Sequence, residues 1–304
     1  MILSAMLMSG CASFPGQYEN SPAAQETKSL DIDKEYKSYQ SLHFAFQGRN
    51  YDELKSAADF SEDIYRKIMF DTNLLSFKPS ENYKIIIYAN QQEYRRATGY
   101  PEWSGGGTVT ELLGKILPSE RETKARTSIY TFEDIVSAPL FAHEISHLIF
   151  DEFMAFRYAS DSDSVLWVNE GLATFEEFEA RDASSRDEFV GVINYVLQNN
   201  AMPLEKFAGF VPLKETPYQL GTYIYRGRIY VYTNIDVWYW QARSITEFLI
   251  KKQGQYNFFV FLNSLKSGNN LLNAVQQAYP GKWRGLDDLE MEWKNSLKLA
   301  VIKY

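Results

Sequence analysis

Residues 143–147 read His143-Glu144-Ile145-Ser146-His147, an HExxH pattern set in a run of apolar residues. An α-helix advances about 100° per residue, so side chains four positions apart return to nearly the same face. Two imidazoles at this spacing can bind one metal ion, and Glu144 then flanks the metal as a base suited to activating water. The pattern therefore predicts a helix that carries part of a zinc site.

The surroundings of the pattern support a metal site over the alternative, a pair of histidines that only form hydrogen bonds on an ordinary buried helix. Leu140, Ile145 and Leu148 fall on one half of the helical wheel, while His143 and His147 fall on the other half, about 40° apart. The chain contains only 3 histidines, so a chance match to HExxH is rare.

A third ligand must come from elsewhere, because a catalytic zinc ion takes three protein ligands and keeps a fourth position open. Glu170 follows His147 at a distance that leaves room for one connection and a returning helix, and Asn169 and Gly171 suit a tight start of that helix. The alternative for Glu170 is an exposed first-turn glutamate favoured by the helix dipole. The remaining histidine, His43, belongs to a predicted strand, where we expect a structural role.

The single cysteine, Cys11, excludes an internal disulfide and a cysteine-rich zinc site. A purely structural zinc ion is therefore disfavoured, since such sites fill all four positions with protein ligands, usually including Cys.

The N-terminal sequence predicts an envelope lipoprotein. Residues 2–8 form a short apolar run, and Met8-Ser9-Gly10-Cys11 resembles the bacterial lipoprotein signal box, in which the cysteine is lipid-modified. Residues 1–10 are then the signal segment, and residues 11–35, rich in Ser, Pro, Gln and Glu, a flexible tether. Ala12 and Ser13 follow Cys11 where lipoproteins retained at the inner membrane commonly carry an aspartate, so the resemblance implies lipid anchoring to the outer membrane, with the body facing the periplasm.

Composition limits the remaining possibilities. A chain of 304 residues with 45% hydrophobic content can bury a large core, enough for one bilobed domain or two small ones. The net charge of -8 and the absence of a Lys/Arg block exclude a nucleic-acid surface.

The periodicity of apolar residues predicts an α+β fold with two lobes. Residues 36–135 form a small N-terminal α+β lobe, and residues 136–304 a mainly helical lobe that holds the zinc site. The first lobe contains strands at 39–47, 84–89 and 127–132 and a helix at 51–70. The second contains helices at 137–156, 165–180, 186–198, 237–252, 256–265, 271–279 and 286–299.

A glycine triplet at residues 105–107 precedes Thr108-Val109-Thr110. Such a stretch is typical of a plain loop, or of a strand that another backbone approaches closely, in which case its edge pairs with an extended substrate. Both interpretations stay open on the sequence.

The combined strings resemble the gluzincins, the thermolysin-like (peptidase MA-like) zinc metallopeptidases in which a glutamate on a second helix is the third ligand. Residues 167–173, Trp-Val-Asn-Glu-Gly-Leu-Ala, are similar to the Trp-Leu-Asn-Glu-Gly-Phe-Ala type of string in the aminopeptidase N-like branch. The resemblance implies a zincin-like fold with zinc bound by His143, His147 and Glu170, and Glu144 as the base. By the same resemblance, Tyr239 would donate its phenol to the oxyanion.

Two departures from the family qualify this resemblance. Aminopeptidase relatives carry a Gly-x-Met-Glu-Asn string whose glutamate binds the substrate amine, and residues 105–109 do not reproduce it, which favours an endopeptidase. Thermolysin has an aspartate four residues after its glutamate ligand, whereas this chain has Thr174.

The sequence thus predicts a zinc metallopeptidase that hydrolyses peptide or protein substrates in the cell envelope. The alternative is a non-catalytic binding or assembly lipoprotein that retains a metallopeptidase fold. Another pair of residues, Arg226 and Arg228, could bind a substrate carboxylate, although an exposed Tyr/Arg hairpin accounts for them better.

Overall fold

Sheet and helices alternate in the first half of the chain, and helices dominate the second half. The computed structural model describes residues 10–11, 36–100, 104–113, 124–154 and 164–301. The strands are β1 Gly10–Cys11, β2 Lys37–Gln40, β3 Phe44–Gly48, β4 Tyr83–Tyr88, β5 Ser104–Leu113, β6 Lys124–Phe132, β7 Gln219–Tyr225 and β8 Arg228–Thr233. The helices are α1 Tyr51–Asp71, α2 Gln91–Thr98, α3 Ala138–Met154, α4 Leu166–Glu179, α5 Ala183–Asn200, α6 Leu204–Ala208, α7 Asn234–Glu247, α8 Gln255–Lys266, α9 Leu271–Ala278 and α10 Leu286–Val301.

Backbone contacts divide the chain into two units. One consists of Ala5–Ile68 and Ser76–Ser162, and the other of Met69–Leu75 together with the chain from Asp163 onward. The predicted α+β class is confirmed. The domain boundaries predicted at residues 35 and 135 stay predictions.

The first unit is built on a six-stranded sheet in the order β1-β5-β6-β4-β3-β2. Strands β3, β4 and β6 are parallel, and β5 runs antiparallel to β6. Aromatic contacts tie helices to one sheet face: Phe44 lies 6.1 Å from Tyr65 of α1 between ring centroids, and Phe60 of α1 lies 5.1 Å from Phe141 of α3. These contacts bury the helix that carries the HExxH pattern.

The other sheet face is covered by α2. Ile86, Tyr88 and Phe132 form a buried cluster there with Tyr94 of α2. This helix is absent from the sequence prediction because it is short and mostly polar. Its ends carry usable signals, since the Asn90 side chain accepts a hydrogen bond from the Glu93 N–H and Gly99 ends the helix at a φ of 72°.

The single strand predicted at residues 39–47 is wrong. Residues 39–47 form two antiparallel strands, β2 and β3, joined by a tight turn in which the Ser41 N–H donates to the Phe44 carbonyl at 2.9 Å. Leu42, which falls within the predicted strand, lies in this turn and is 78% exposed. The Asn82 amide donates to the Ser41 and Leu42 carbonyls, 3.3 Å from each, which stabilises the turn in place of sheet pairing.

The second unit is mainly helical, and its described residues include one antiparallel hairpin made of β7 and β8. The predicted 237–252 helix begins earlier, because a capping box of Thr233 and Asp236 starts α7 at Asn234. It continues as a π-helical turn, Phe248–Lys252. The last helix is joined to α7 by Trp293, whose indole N–H donates to the Ser244 hydroxyl at 3.0 Å.

The N-terminal predictions fall mostly outside the described residues. Of the signal segment and tether, only the backbone of Gly10 and Cys11 is described, as the short strand β1 parallel to β5. Among the described residues, no helix is long and apolar enough to cross a membrane.

Candidate metal centre

Helix α3 carries His143, Glu144 and His147. The two imidazole rings lie 4.9 Å apart between centroids at an interplanar angle of 75°. All three side chains are at most 5% exposed. Pro139 stands in the first turn, where its missing N–H removes no hydrogen bond from the helix. The spacing of the pattern thus places both imidazoles in the protein interior.

The carboxylate of Glu144 is oriented by strand β5. The Thr108 hydroxyl donates a hydrogen bond to Glu144 Oε2 at 2.8 Å, and both residues are buried. Gly106 faces the other oxygen: a Cβ at that position would lie 3.1 Å from Oε1. The glycine therefore keeps space beside Oε1 that any side chain would fill.

Helix α4 carries Glu170, which is only 2% exposed. The expected tight helix start is wrong: α4 begins at Leu166, and Glu170 lies in its second turn. Gly171 serves a different purpose, because α4 crosses α7 closely there. A Cβ on Gly171 would lie 2.4 Å from Thr246 Oγ1 and 2.6 Å from the Ala242 carbonyl oxygen. Because Glu170 itself is buried, the alternative of an exposed first-turn glutamate is ruled out.

The three predicted ligands form a group that could hold a metal ion. His143, His147 and Glu170 each offer one ligand atom, and these atoms all lie within 4.8 Å of one another. In a tetrahedral zinc site with bonds of about 2.0–2.2 Å, ligand atoms stand roughly 3.4 Å apart. Two imidazoles and one carboxylate are also a ligand set that zinc accepts, so the group fits this ion after small side-chain movements. Among the described residues, this is the group of His, Cys, Asp or Glu side chains whose ligand atoms lie close enough together to share a metal ion.

Tyr239, the predicted oxyanion donor, lies on α7. It stands one turn before Ala242, whose carbonyl approaches Gly171, the residue after Glu170. Its ring packs edge-on against Trp238 with 5.0 Å between centroids. The side chain is half-buried. Its role as a donor stays a prediction.

Other residues weighed in the sequence have structural surroundings. His43 has its Nδ1 2.7 Å from Glu62 Oε2 and stacks on Tyr65 at 4.0 Å between centroids, consistent with the structural role expected for it. Thr174 is buried on α4. Arg226 and Arg228 lie at the exposed end of the hairpin, as expected for an exposed Tyr/Arg hairpin.

The sequence prediction missed Thr108 as a partner of Glu144. The glycine triplet at residues 105–107 carried a signal for this contact, because one of its two interpretations was a strand that another backbone approaches closely. β5 is a strand, and the backbone of β1 approaches it, pairing Gly10 with Ser104 and Cys11 with Gly106. What the sequence could not show was which face of β5 meets the HExxH helix.

No model of a protein family and no curated protein matches this chain.

Proposed function

We propose that the protein is a zinc-dependent metallopeptidase with a zincin-like fold and the gluzincin ligand set. The observation that carries the proposal is the buried group of His143, His147 and Glu170, with Glu144 between the histidines. The mixed sheet supports the fold assignment, because its antiparallel strand β5 lies beside the HExxH helix. An endopeptidase is favoured, since residues 105–109 lack an acidic anchor for a substrate amine.

The ion is assigned from the chemistry of its ligands. His143, His147 and Glu170 would hold zinc and leave a position open. Zinc supplies Lewis-acid polarisation of the scissile carbonyl and makes water acidic enough to react near neutral pH. A site with no cysteine and an open position is suited to catalysis rather than to a structural role.

Glu144 moves the proton in this proposal. Its Oε2 is held by the Thr108 hydroxyl at 2.8 Å, so Oε1, beside Gly106, is the atom that accepts a proton from the attacking water. The same carboxyl then returns the proton to the amine of the leaving peptide. Tyr239 donates a hydrogen bond to the oxyanion that forms on the carbonyl.

Strand β5 offers a place for the peptide substrate. Its outer edge already accepts backbone pairing, since β1 pairs there with Ser104 and Gly106. An extended peptide that displaces β1 could use the same hydrogen-bonding groups, which would place its backbone beside Glu144.

The first test is the zinc content of the purified protein, with matched variants. We expect equimolar zinc in the parent, loss in His147→Ala and Glu170→Gln, and retention in the controls His43→Ala and Glu176→Gln. The controls match the residue type, and Glu176 is as buried as Glu170 on the same helix. A parent protein that binds no zinc would contradict the proposal.

The second test separates catalysis from metal binding. Glu144→Gln should keep its zinc and lose cleavage of a mixture of quenched fluorescent peptides by a factor of about 10² to 10⁴. A Glu144→Gln variant as active as the parent would refute the role of Glu144. A parent that binds zinc and cleaves no peptide would favour the alternative, a non-catalytic binding or assembly protein with this fold.

Anchoring is a separate proposal. We propose that lipid attached to Cys11 holds the protein at the bacterial envelope, with outer-membrane attachment facing the periplasm. Support comes from the sequence of residues 1–35 alone. This anchoring is independent of the peptidase chemistry.

A further inference from the structure

Thr174 of α4 carries a buried hydroxyl that is not hydrogen-bonded within the described part of the chain. The side chain is 7% exposed, and its Oγ1 makes no hydrogen bond with any residue that the structure describes. A buried hydroxyl without a partner is unfavourable, because folding removes it from water and supplies no other hydrogen bond. Such groups are rare in native proteins and occur where a site has a catalytic role or binds water or an ion.

The usual acceptor for a hydroxyl on a helix is not used by Thr174. Serine and threonine in helices commonly donate to the carbonyl four residues earlier. Ser61, Thr98 and Ser146 do so, at 2.6, 2.8 and 2.7 Å. The matching acceptor for Thr174 is the backbone carbonyl of Glu170, which it does not bind. Its hydroxyl is therefore left for a side chain or a ligand to bind.

The position of Thr174 on α4 points to the side chain of Glu170. Two residues separated by four positions lie on nearly the same face of a helix, about 40° apart, with roughly 5–6 Å between their Cβ atoms. Side chains in a helix tilt toward its N-terminus, so Thr174 leans toward the turn that carries Glu170. A long and a short polar side chain at this spacing can form a hydrogen bond. Thr174 can thus reach the Glu170 carboxylate through a change of side-chain rotamer.

The ligand set leaves one oxygen of Glu170 for this bond. His143, His147 and Glu170 each offer one ligand atom to a metal ion. The second carboxylate oxygen of Glu170 then does not bind the metal, and the side chain is only 2% exposed, so water cannot readily serve it. Carboxylates that bind a metal are usually hydrogen-bonded as well, which fixes their orientation. A donor on the same helix is suited to this purpose.

We propose that Thr174 is a positioning residue for Glu170: its hydroxyl donates a hydrogen bond to the carboxylate oxygen that does not bind the metal. The bond would hold Glu170 in the rotamer that binds zinc, and it would satisfy the buried hydroxyl at the same time. The inference rests on the proposed zinc site but not on peptide cleavage. The hydroxyl then favours zinc binding and contributes nothing to the stability of the metal-free protein.

The test is Thr174→Val in the full chain, which removes the hydroxyl and keeps the shape of the side chain. We expect the zinc affinity, measured by competition with a chromogenic chelator, to fall about tenfold or more. Urea unfolding of the protein stripped of metal should have a midpoint equal to or above that of the parent, because a methyl group replaces an unpartnered buried hydroxyl. Thr174→Ser keeps the hydroxyl and should bind zinc nearly as tightly as the parent.

Thr98→Val is the matched control, because the Thr98 hydroxyl already donates to the Tyr94 carbonyl at 2.8 Å. This control should lower the unfolding midpoint and leave the zinc affinity unchanged, which is the reverse of the pattern expected for Thr174→Val.

The positioning role is overturned if Thr174→Val binds zinc as tightly as the parent. It is also overturned if Thr174→Val is less stable than the parent without metal, because the hydroxyl would then bind another partner, such as a buried water. A parent that binds no zinc would overturn both this role and the proposed function. Weakened zinc binding in Thr174→Val, in a protein that cleaves no peptide, would support the positioning role and refute only the peptidase.

Discussion

At the scale of single residues, the orientation of one carboxylate depends on strand β5. Glu144 is fully buried, and burial of a charge is costly unless hydrogen bonds compensate it. Thr108 supplies such a bond at 2.8 Å, and Gly106 leaves the space that a second side chain would occupy. The HExxH pattern provides the base, whereas strand β5 sets its orientation.

Replacement of Thr108 should therefore affect turnover more than metal binding. In Thr108→Val the hydrogen bond to Glu144 is lost while the side-chain volume is kept. Hydrogen bonds to charged groups contribute about 1.5–3 kcal/mol, so we expect kcat for peptide cleavage to fall about tenfold or more. KM and zinc content should change little, which distinguishes this effect from loss of the site.

Thr108→Ser is the matched control, because it restores the hydroxyl and should recover most of the lost kcat. If the Val and Ser variants were equally slow, the hydroxyl would have no positioning role, and the effect would come from packing of strand β5.

At the scale of elements, the close crossing of α4 and α7 positions Glu170. Gly171 permits the approach, since a Cβ there would meet Thr246 Oγ1 at 2.4 Å and the Ala242 carbonyl oxygen at 2.6 Å. The backbone carbonyl cannot rotate away as the end of a flexible side chain can. Any larger residue must push the two helices apart and displace Glu170 with them.

Gly171→Ala should consequently destabilise the protein and weaken zinc binding together. Overpacking of a helix contact costs about 1–3 kcal/mol, more than the gain in helix propensity from Gly to Ala. The measurement is urea unfolding together with zinc affinity. Gly209→Ala is the control, because no atom lies within 4 Å of its Cβ position. Equal stability of the two variants would show that the crossing tolerates a methyl group.

At the scale of the whole molecule, buried charge makes stability depend on pH. Arg243 is 1% exposed, and Glu247 Oε2 lies 3.0 Å from its Nη1. Burial alone would raise the pKa of Glu247, but the charges of Arg243 and Lys251 outweigh it and hold the pKa below its ordinary value of 4.5. The ionised form of Glu247 thus stabilises the folded protein.

This stabilising contribution is present above the unfolded pKa and is lost as the pH falls through the lower folded pKa. Glu247→Gln should lower the free energy of unfolding by about 2 kcal/mol at neutral pH, because Arg243 stays buried without its charge partner. The difference between variant and parent should shrink as the pH falls below 4.5. Urea unfolding across this pH range measures it.

Asp63→Asn is the control for a surface ion pair. Asp63 and Arg66 are 71% and 72% exposed, so water screens their charges and the change should stay within about 0.5 kcal/mol. A pH-independent loss of stability in Glu247→Gln would mean that packing, rather than charge, is responsible.

Features that depend on near neighbours in the chain could be predicted from the sequence alone. The helical periodicity predicted α1 and the α3 helix that carries His143 and His147. The sequence around Glu170 predicted this residue as the third ligand. These inferences succeed because helix geometry fixes which residues share a face. The turn that splits residues 39–47 was missed, because its stabilising contact comes from Asn82 in another segment.

Contacts between these features became visible in the folded chain alone. It brought ligand atoms of His143, His147 and Glu170 within 4.8 Å of one another, and it put Thr108 on the Glu144 carboxylate. It also showed that Gly171 serves a helix crossing. Such contacts join segments far apart in the chain, and their geometry follows from packing of the whole core, which no local pattern encodes.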